Sequence, residues 1–178
     1  MSVSNAIEKM SCYILAGSNT VACGDEVDYD MEKIERGYRK YARIFEDVKL
    51  VLTQKQAKEK FLNYPHVCEQ EETPLLANSL KAALKDSKTD YIFVGSADIT
   101  NFSLELPVNL IKEYGGESFM GYDFEDQDGS NKFQFGIYNK KLLSKLLDIK
   151  PDDDQSIDSL LLSDGRLLKF PEGMKISY

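Results

Sequence analysis

Short apolar runs alternate with amphipathic stretches over the first two thirds of the chain. Continuous apolar runs predict buried strands at Cys12–Ala16, Val48–Thr53 and Tyr91–Val94, with a shorter candidate at Val67–Cys68. Helical spacing of apolar residues predicts helices over 31–45, 55–62, 73–86 and 103–114. Strands that alternate with helices favour an α/β fold, a three-layer, Rossmann-like, open and mostly parallel sheet with helices on both faces.

The last third of the chain has a different pattern. Strands are predicted at Phe119–Phe124 and Lys132–Tyr138, on either side of a polar loop that contains Asp128-Gly129. Short helices are predicted over 140–147 and 156–162, with a final strand at 167–170. The strand pair predicts an antiparallel addition to the sheet. Because no repeat, linker or compositional break interrupts the chain, we expect a single domain over residues 1–178.

Composition and charge limit the kinds of partner that the protein is expected to bind. The formal net charge is −8, which argues against nonspecific nucleic-acid binding and against attachment to anionic membranes. No apolar run approaches the roughly 20 residues of a transmembrane helix, and residues 1–10 lack a signal-peptide pattern. Cys12, Cys23 and Cys68 form no C-x-x-C pair, which favours a reducing cytoplasm. His66 is the single histidine, so histidine-cluster metal sites are excluded.

The first candidate site follows the first predicted strand. Gly17 ends the apolar run, and small and polar residues continue to Gly24. A glycine-containing loop at the carboxyl end of a strand can present backbone N–H groups to a ligand, although an ordinary turn has the same pattern. Five carboxylates lie within residues 25–32. We interpret them as a solvated acidic turn, with metal ligation as the alternative.

Two further stretches carry candidate chemistry. Thr73 precedes Pro74, which predicts a hydroxyl N-cap followed by proline at the first helical position. Asp98 follows the apolar run 91–94 and is expected at the carboxyl end of a strand, where open α/β sheets bind ligands. An aspartate there either binds a metal or phosphate group or caps the next helix.

Together these stretches resemble the molybdenum cofactor guanylyltransferase family and its nucleotidyltransferase relatives. The first family motif reads L-A-G-G-x-S-x-R-M-G-x-D-K, and Leu15, Ala16, Gly17 and Gly24 match it. Ser18 replaces the second glycine, Ala22 the arginine and Val27 the lysine.

Three later motifs occur in the family's order. Pro74 and Leu75 match the family's G-P-L-x-G turn, and Asn78 stands where other relatives place an asparagine. Asp98 matches the family's magnesium-binding aspartate. Residues 134–138, Gln-Phe-Gly-Ile-Tyr, are similar to Q-P-L-x-G-x-Y. The resemblance therefore covers most of the chain.

The resemblance implies a nucleotide-diphospho-sugar transferase type of fold and a nucleotidyltransferase activity. By family, the donor is GTP, the phosphate-bearing acceptor is molybdopterin, and Mg²⁺ is bound at Asp98. The residues expected to bind the nucleotide are Leu15, Ala16, Gly17, Ser18, Gly24, Thr53, Pro74 and Asn78.

The residues that differ from the family motifs leave more than one function open. Without the loop arginine and lysine we expect weak or no activity, unless Lys33, Arg36 or a second metal ion supplies the missing charge. The lysine-bearing hairpin is expected to be missing. A second metal carboxylate has three candidates: Glu69, Glu71 and Asp158. A catalytically inactive nucleotide- or partner-binding module, and a transferase for another acceptor, remain as alternative functions.

Overall fold

The computed structural model describes residues 7, 9–16, 20–23, 26–29, 31–59, 63–69, 75–99, 101–123, 131–149 and 154–177. The strands are β1 (Cys12–Leu15), β2 (Thr20–Cys23), β3 (Glu26–Tyr29), β4 (Val48–Leu52), β5 (His66–Cys68), β6 (Tyr91–Ser96), β7 (Asn101–Phe102), β8 (Phe119–Asp123), β9 (Gly136–Asn139), β10 (Gly165–Lys169) and β11 (Ile176–Ser177). The α-helices are α1 (Met31–Tyr41), α2 (Gln54–Glu59), α3 (Leu76–Asp86), α4 (Glu105–Glu113), α5 (Leu142–Leu147) and α6 (Asp154–Asp164).

A seven-stranded sheet organises the described chain. Its strand order is β10-β8-β9-β6-β1-β4-β5, and β9 runs antiparallel to both of its neighbours. The pairs β6–β1, β1–β4 and β4–β5 are parallel. β1 lies between β4 and β6, and all four of its residues are buried because strands pair with it on both sides and helices cover both faces. The predicted open, mostly parallel sheet is confirmed.

Alternate residues of β1 enter two separate apolar layers. Cys12 and Ile14 pack on the face covered by α1 and α4, whereas Tyr13 and Leu15 pack on the face covered by α3, α5 and α6. This alternation follows from the two-residue period of a strand. Two helical layers around one sheet confirm the predicted three-layer architecture.

The segment after β1 differs from expectation. β2 and β3 form an antiparallel hairpin, with Ala22 opposite Val27, so the expectations of a missing hairpin and of an acidic turn are wrong. The residues Glu26-Val27-Asp28-Tyr29 alternate polar and apolar types, which is a strand pattern that the density of carboxylates obscured. The hairpin is present, but Ala22 and Val27 leave it without the two family cations.

Two other boundaries also differ. The helix predicted from residue 73 begins at Leu76, and Leu75 occupies the N-cap position without a side-chain hydrogen bond. Thr73 and Pro74 lie outside the described residues, as does part of the predicted strand 119–124.

Residues 131–134 form a 3₁₀-helix rather than a strand, so the motif around Gln134 enters β9 only at Gly136. Gly136 has no room for a side chain, since a Cβ there would lie 2.5 Å from the Met120 carbonyl oxygen.

The described helices show no membrane-spanning segment, because none combines the required length with sufficient apolar character.

A close contact between Gly95 and Tyr41 ties α1 to the centre of the sheet. The Tyr41 ring lies directly against the Gly95 backbone, where a Cβ would be only 2.3 Å from Tyr41 Cζ. The ring also contacts Phe93, Phe102 and Phe135, with ring centroids 4.9–6.5 Å away. Gly95 is therefore required by packing, since any side chain would displace a fully buried aromatic ring.

We expect Gly95→Ala to lower the free energy of unfolding by about 1–3 kcal/mol, because the new methyl group overlaps a ring that the surrounding aromatic residues hold in place. Urea denaturation measures this change. The matched control is Gly37→Ala in α1, where a Cβ would lie 3.4 Å from Ala97 Cα, in contact without overlap. Its stability should stay unchanged or rise by up to about 1 kcal/mol from helix propensity. Equal losses in both variants would contradict the packing explanation.

Candidate functional site

The carboxyl ends of four parallel strands meet at one edge of the sheet. Backbone hydrogen bonds continue past the strands: the Ala16 N–H donates to Val51, and the Ala97 N–H donates to Leu15. The residues that follow β1, β4, β5 and β6 therefore form one row. We call it the strand-end site and define it by Ala16, Thr53, Glu69 and Asp98.

Asp98 is paired with a lysine at this site. Lys33 Nζ lies 2.6 Å from Asp98 Oδ1, and the two side chains are 29% and 28% exposed. The Asp98 N–H donates a hydrogen bond to Ser96 Oγ at 3.1 Å, which fixes the turn after β6. Charge-assisted hydrogen bonds of this length are among the stronger polar contacts in proteins. The predicted metal-binding aspartate therefore already has a cationic partner.

The packing of α1 explains why Lys33 reaches Asp98. Gly37 is one helical turn after Lys33 and lies against Ala97, the residue before Asp98. Residues four apart share one face of a helix. Ile34 is fully buried in the same helix and anchors it on the sheet. The close approach at Gly37 thus brings the lysine stem over the end of β6.

Arg36, the other cation considered from the sequence, is not placed at Asp98. Its guanidinium contacts Glu32 Oε1 at 2.6 Å, and both side chains are mostly exposed. An exposed (i, i+4) pair of this kind stabilises a helix by only about 0.3–0.5 kcal/mol. Of the two candidates, Lys33 is the one that the structure brings to the strand-end site.

Gln56 is a site residue that the sequence analysis missed. It is fully buried, and its Nε2 donates a hydrogen bond to the Ala16 carbonyl oxygen at 2.8 Å. Its Oε1 accepts the Thr53 N–H at 2.8 Å, while the Gln56 N–H donates to Thr53 Oγ1 at 3.2 Å. These reciprocal bonds are a capping box at the start of α2, and the T-x-x-Q spacing of residues 53–56 is its sequence signal. The cap of α2 therefore also holds the end of β1.

Glu69 is a buried carboxyl group at the opposite end of the row. Ser79 Oγ donates a hydrogen bond to its Oε1 at 2.5 Å, and Oε2 has no hydrogen-bond partner among the described residues. Burial raises the pKa of Glu69 to about 7, and the hydrogen bond from Ser79 opposes this shift. Near neutral pH the group is therefore close to its midpoint of ionisation.

Glu69 does not complete a metal site with Asp98. The two residues follow β5 and β6, which are separated by β1 and β4. Three strand spacings amount to about 14 Å, too far for two carboxylates to bind one ion directly. The proposal of Glu69 as a second ligand beside Asp98 is therefore wrong.

The other two carboxylate candidates are not brought to Asp98 either. Asp158 lies on α6, whose buried residues Ile157 and Leu161 pack on the face opposite to α1. Glu71 lies outside the described residues. Within the described ranges, no group of three or more His, Cys, Asp and Glu residues could hold a metal ion. A single carboxylate such as Asp98 could contribute to a Mg²⁺ site only together with oxygens from a ligand or water.

The remaining predicted nucleotide-binding residues divide into two groups. Leu15 is buried at the end of β1, and Asn78 is buried in the first turn of α3. Asn78 lines a cavity of about 390 Å³ beside β5, together with Cys68 and Lys81. The positions outside the described residues are Gly17, Ser18, Gly24 and Pro74.

Comparisons with known proteins identify the same fold. No protein-family model matches the sequence. A curated protein of Aquifex aeolicus (strain VF5), described as a probable molybdenum cofactor guanylyltransferase, is 27% identical over 175 residues, which cover 93% of this chain and 82% of that protein. A crystal structure of a protein from Aquifex aeolicus VF5 superposes with a TM-score of 0.75 at 28% identity and covers 93% of this chain and 90% of its own.

Two more distant structures share the architecture. Molybdopterin-guanine dinucleotide biosynthesis protein A from Archaeoglobus fulgidus has a TM-score of 0.58 at 14% identity, with 91% of this chain and 83% of that chain covered. A manganese complex of a protein from Mycobacterium tuberculosis H37Rv has a TM-score of 0.62 at 16% identity, with 92% and 88% covered. At these identities the likeness shows the fold alone.

The strand order of the described sheet and the similar solved structures define the class of protein. The chain has a nucleotide-diphospho-sugar transferase type of fold. Within that class it resembles the molybdenum cofactor guanylyltransferases, as the sequence motifs indicate, and this resemblance is confirmed.

We expect Glu69→Gln to remove a pH dependence of stability. The folded protein retains the Glu69 proton up to pH about 7, whereas the unfolded chain releases it near 4.5. The stability that protonated Glu69 contributes should therefore be fully present below pH 4.5. The free energy of unfolding should fall by about 1–3 kcal/mol as the pH rises through 7 and this contribution is lost. Denaturant titrations from pH 4.5 to 8 should show a flatter profile for Glu69→Gln. The control is Glu46→Gln, at an exposed position; a wild-type slope retained in Glu69→Gln would contradict this origin.

We expect Gln56→Leu to lower the free energy of unfolding by about 1–3 kcal/mol, because the buried Ala16 carbonyl group loses its donor and α2 loses its cap. Thermal or urea denaturation measures the loss. Gln54→Leu changes an exposed residue of the same helix and is the matched control, with an expected change within about 0.5 kcal/mol. Similar stabilities for the two variants would show that the Gln56 bonds contribute little.

Proposed function

We propose that the chain is a single nucleotidyltransferase domain that transfers a nucleoside monophosphate from an NTP to a phosphate-bearing acceptor. The proposed donor is GTP, the proposed acceptor is molybdopterin or a related molecule, and the reaction takes place in the cytoplasm. The relative at 27% identity and the fold support this assignment. The observation that carries it is the lysine–aspartate pair at the carboxyl end of β6.

The reaction requires the positioning of two phosphates and the neutralisation of charge. An acceptor phosphate oxygen attacks the α-phosphorus of the donor, a new P–O bond forms, and the bond to the departing pyrophosphate breaks. Negative charge increases on the leaving group. Preorganised cations and N–H groups account for most of the catalysis of such transfers.

Two of these elements have candidates in this chain. Leu15 and Ala16, at the end of β1, precede Gly17 and Ser18, which lie outside the described residues and are the proposed N–H donors. Gln56 fixes Ala16 through its carbonyl oxygen. Lys33 supplies positive charge close to the end of β6. In the sequence, Ala22 and Val27 replace the family's loop arginine and lysine.

Asp98 is the proposed ligand for a divalent cation, Mg²⁺ by family resemblance. Such an ion would neutralise phosphate charge and align the α-phosphate for attack. The manganese complex of the structural neighbour supports divalent metal use in proteins of this fold. One carboxylate together with phosphate oxygens is a sufficient protein contribution for Mg²⁺.

A catalytically inactive nucleotide-binding module is the second candidate. One observation favours it: Ala22 and Val27 replace the arginine and lysine of the family's first motif. A module that only binds a nucleotide needs the strand-end site but not the metal. A transferase with a different phosphate-bearing acceptor would share every feature of the site described above.

We expect GTP with Mg²⁺ to raise the melting temperature of the protein, with ATP, CTP and UTP less effective, because a ligand of the folded state stabilises it by mass action. The Mg²⁺-dependent part of the shift should be lost in Asp98→Asn. Asp90→Asn is the control, since exposed Asp90 lies at the other end of β6. A thermal-shift titration with each nucleotide, with and without Mg²⁺, measures these effects.

The outcomes separate the two candidates. A metal-independent shift with GTP favours the binding module. A metal-dependent shift, followed by release of pyrophosphate when GTP and molybdopterin are combined, favours the transferase. The absence of a shift with any nucleotide at millimolar concentration would contradict both.

A further inference from the structure

The carboxylate proposed to bind a metal ion already binds a cation that belongs to the protein. Lys33 Nζ contacts Asp98 Oδ1 at 2.6 Å, and roughly 70% of each side chain is removed from solvent. A divalent ion that coordinates Oδ1 requires the same oxygen lone pairs and would repel the ammonium group beside it. Lys33 and a divalent ion therefore compete for Asp98.

The Lys33 ammonium group can contact another anion after it leaves Asp98. Its backbone is held on α1 by the contact between Gly37 and Ala97, so the ammonium group stays within reach of the end of β6. A lysine side chain is a compact charge on a flexible four-carbon stem and can turn without movement of the helix. If a nucleotide binds at the strand-end site, its phosphates provide a second anionic partner for this charge.

We infer that Lys33 is an exchangeable cation of the site. In the absence of nucleotide it neutralises Asp98 and lowers the affinity of that carboxylate for divalent ions. When a nucleotide and a divalent ion bind together, the ion takes Asp98 and Lys33 turns to the phosphates, where it replaces the charge of the missing loop arginine and lysine. This inference rests on the proposed nucleotide-binding function.

The exchange has a thermodynamic signature that a fixed structural ion pair lacks. The divalent ion alone displaces Lys33 from Asp98 and brings no anion in exchange, whereas the nucleotide–metal complex brings phosphate groups that Lys33 can contact. Metal and nucleotide should therefore bind with positive and reciprocal coupling, on the order of tenfold. Removal of the lysine charge should strengthen the binding of metal alone and weaken the binding of the nucleotide complex.

The experiment compares Lys33→Met with Lys33→Arg and with the control Arg36→Met. Met removes the charge and keeps most of the stem, Arg keeps the charge, and Arg36 lies on the same helix with its pairing to Glu32. Free Mn²⁺ is measured by electron paramagnetic resonance in a titration of each protein with Mn²⁺ alone. Binding of the Mn²⁺–GTP complex is then measured by calorimetry.

For Lys33→Met we expect roughly tenfold tighter binding of Mn²⁺ alone and roughly tenfold weaker binding of Mn²⁺–GTP, relative to wild type. Arg36→Met should match wild type in both titrations, and Lys33→Arg should retain part of the coupling. The gain in Mn²⁺ affinity should disappear in the double variant with Asp98→Asn, which assigns the ion to that carboxylate.

Two results overturn the inference. One is unchanged Mn²⁺ affinity in Lys33→Met, including the case in which neither protein binds the ion. The other is a loss of both affinities together, which indicates general damage to the site. Failure of the proposed function is distinguishable from these: wild type would then bind no nucleotide, while Lys33→Met would still gain an Asp98-dependent affinity for Mn²⁺.

Discussion

The parallel alignment of β1, β4, β5 and β6 is the constraint on which the rest of the structure depends. Parallel strands place all their carboxyl ends at one edge, and each crossover helix must then return along a face of the sheet. Residues that are up to about eighty positions apart in sequence consequently form a single row. The strand register therefore determines both the fold and which residues lie together in the candidate site.

The two ends of the strand-end site differ in the electrostatic environment of their carboxyl groups. At one end Asp98 is held by Lys33 and remains partly open to solvent. At the other end Glu69 is buried beside Ser79, and burial raises its pKa to about 7. Lys33 provides an opposite charge beside the Asp98 carboxylate, whereas burial disfavours the ionised form of Glu69. The row therefore has a charged pair at one end and, at the other, a carboxyl group that changes its charge near neutral pH.

Buried polar groups between these ends hold the backbone in place. Gln56 satisfies the Ala16 carbonyl group and the Thr53 N–H at once, so the end of β1 and the start of α2 are fixed relative to each other. Leaving such groups without partners would cost about 1–3 kcal/mol each, which makes the network specific as well as stabilising. The contact of Gly37 with Ala97 places α1 beside the residue that precedes Asp98, on the helical face that also carries Lys33.

Local sequence predicted the central strands, most of the helices and the α/β class, because buried strands and amphipathic helices have different apolar periods that a single segment displays. It also indicated Asp98 and the loop after β1. It did not predict the β2–β3 hairpin or the 3₁₀-helix at residues 131–134. Only the tertiary structure decided that Lys33 rather than Arg36 contacts Asp98, that Glu69 lies three strands away, and that Gln56 holds Ala16. Which side chains contact each other depends on strand order and on how closely a helix approaches the sheet. Both are set by packing between segments that are distant in the chain.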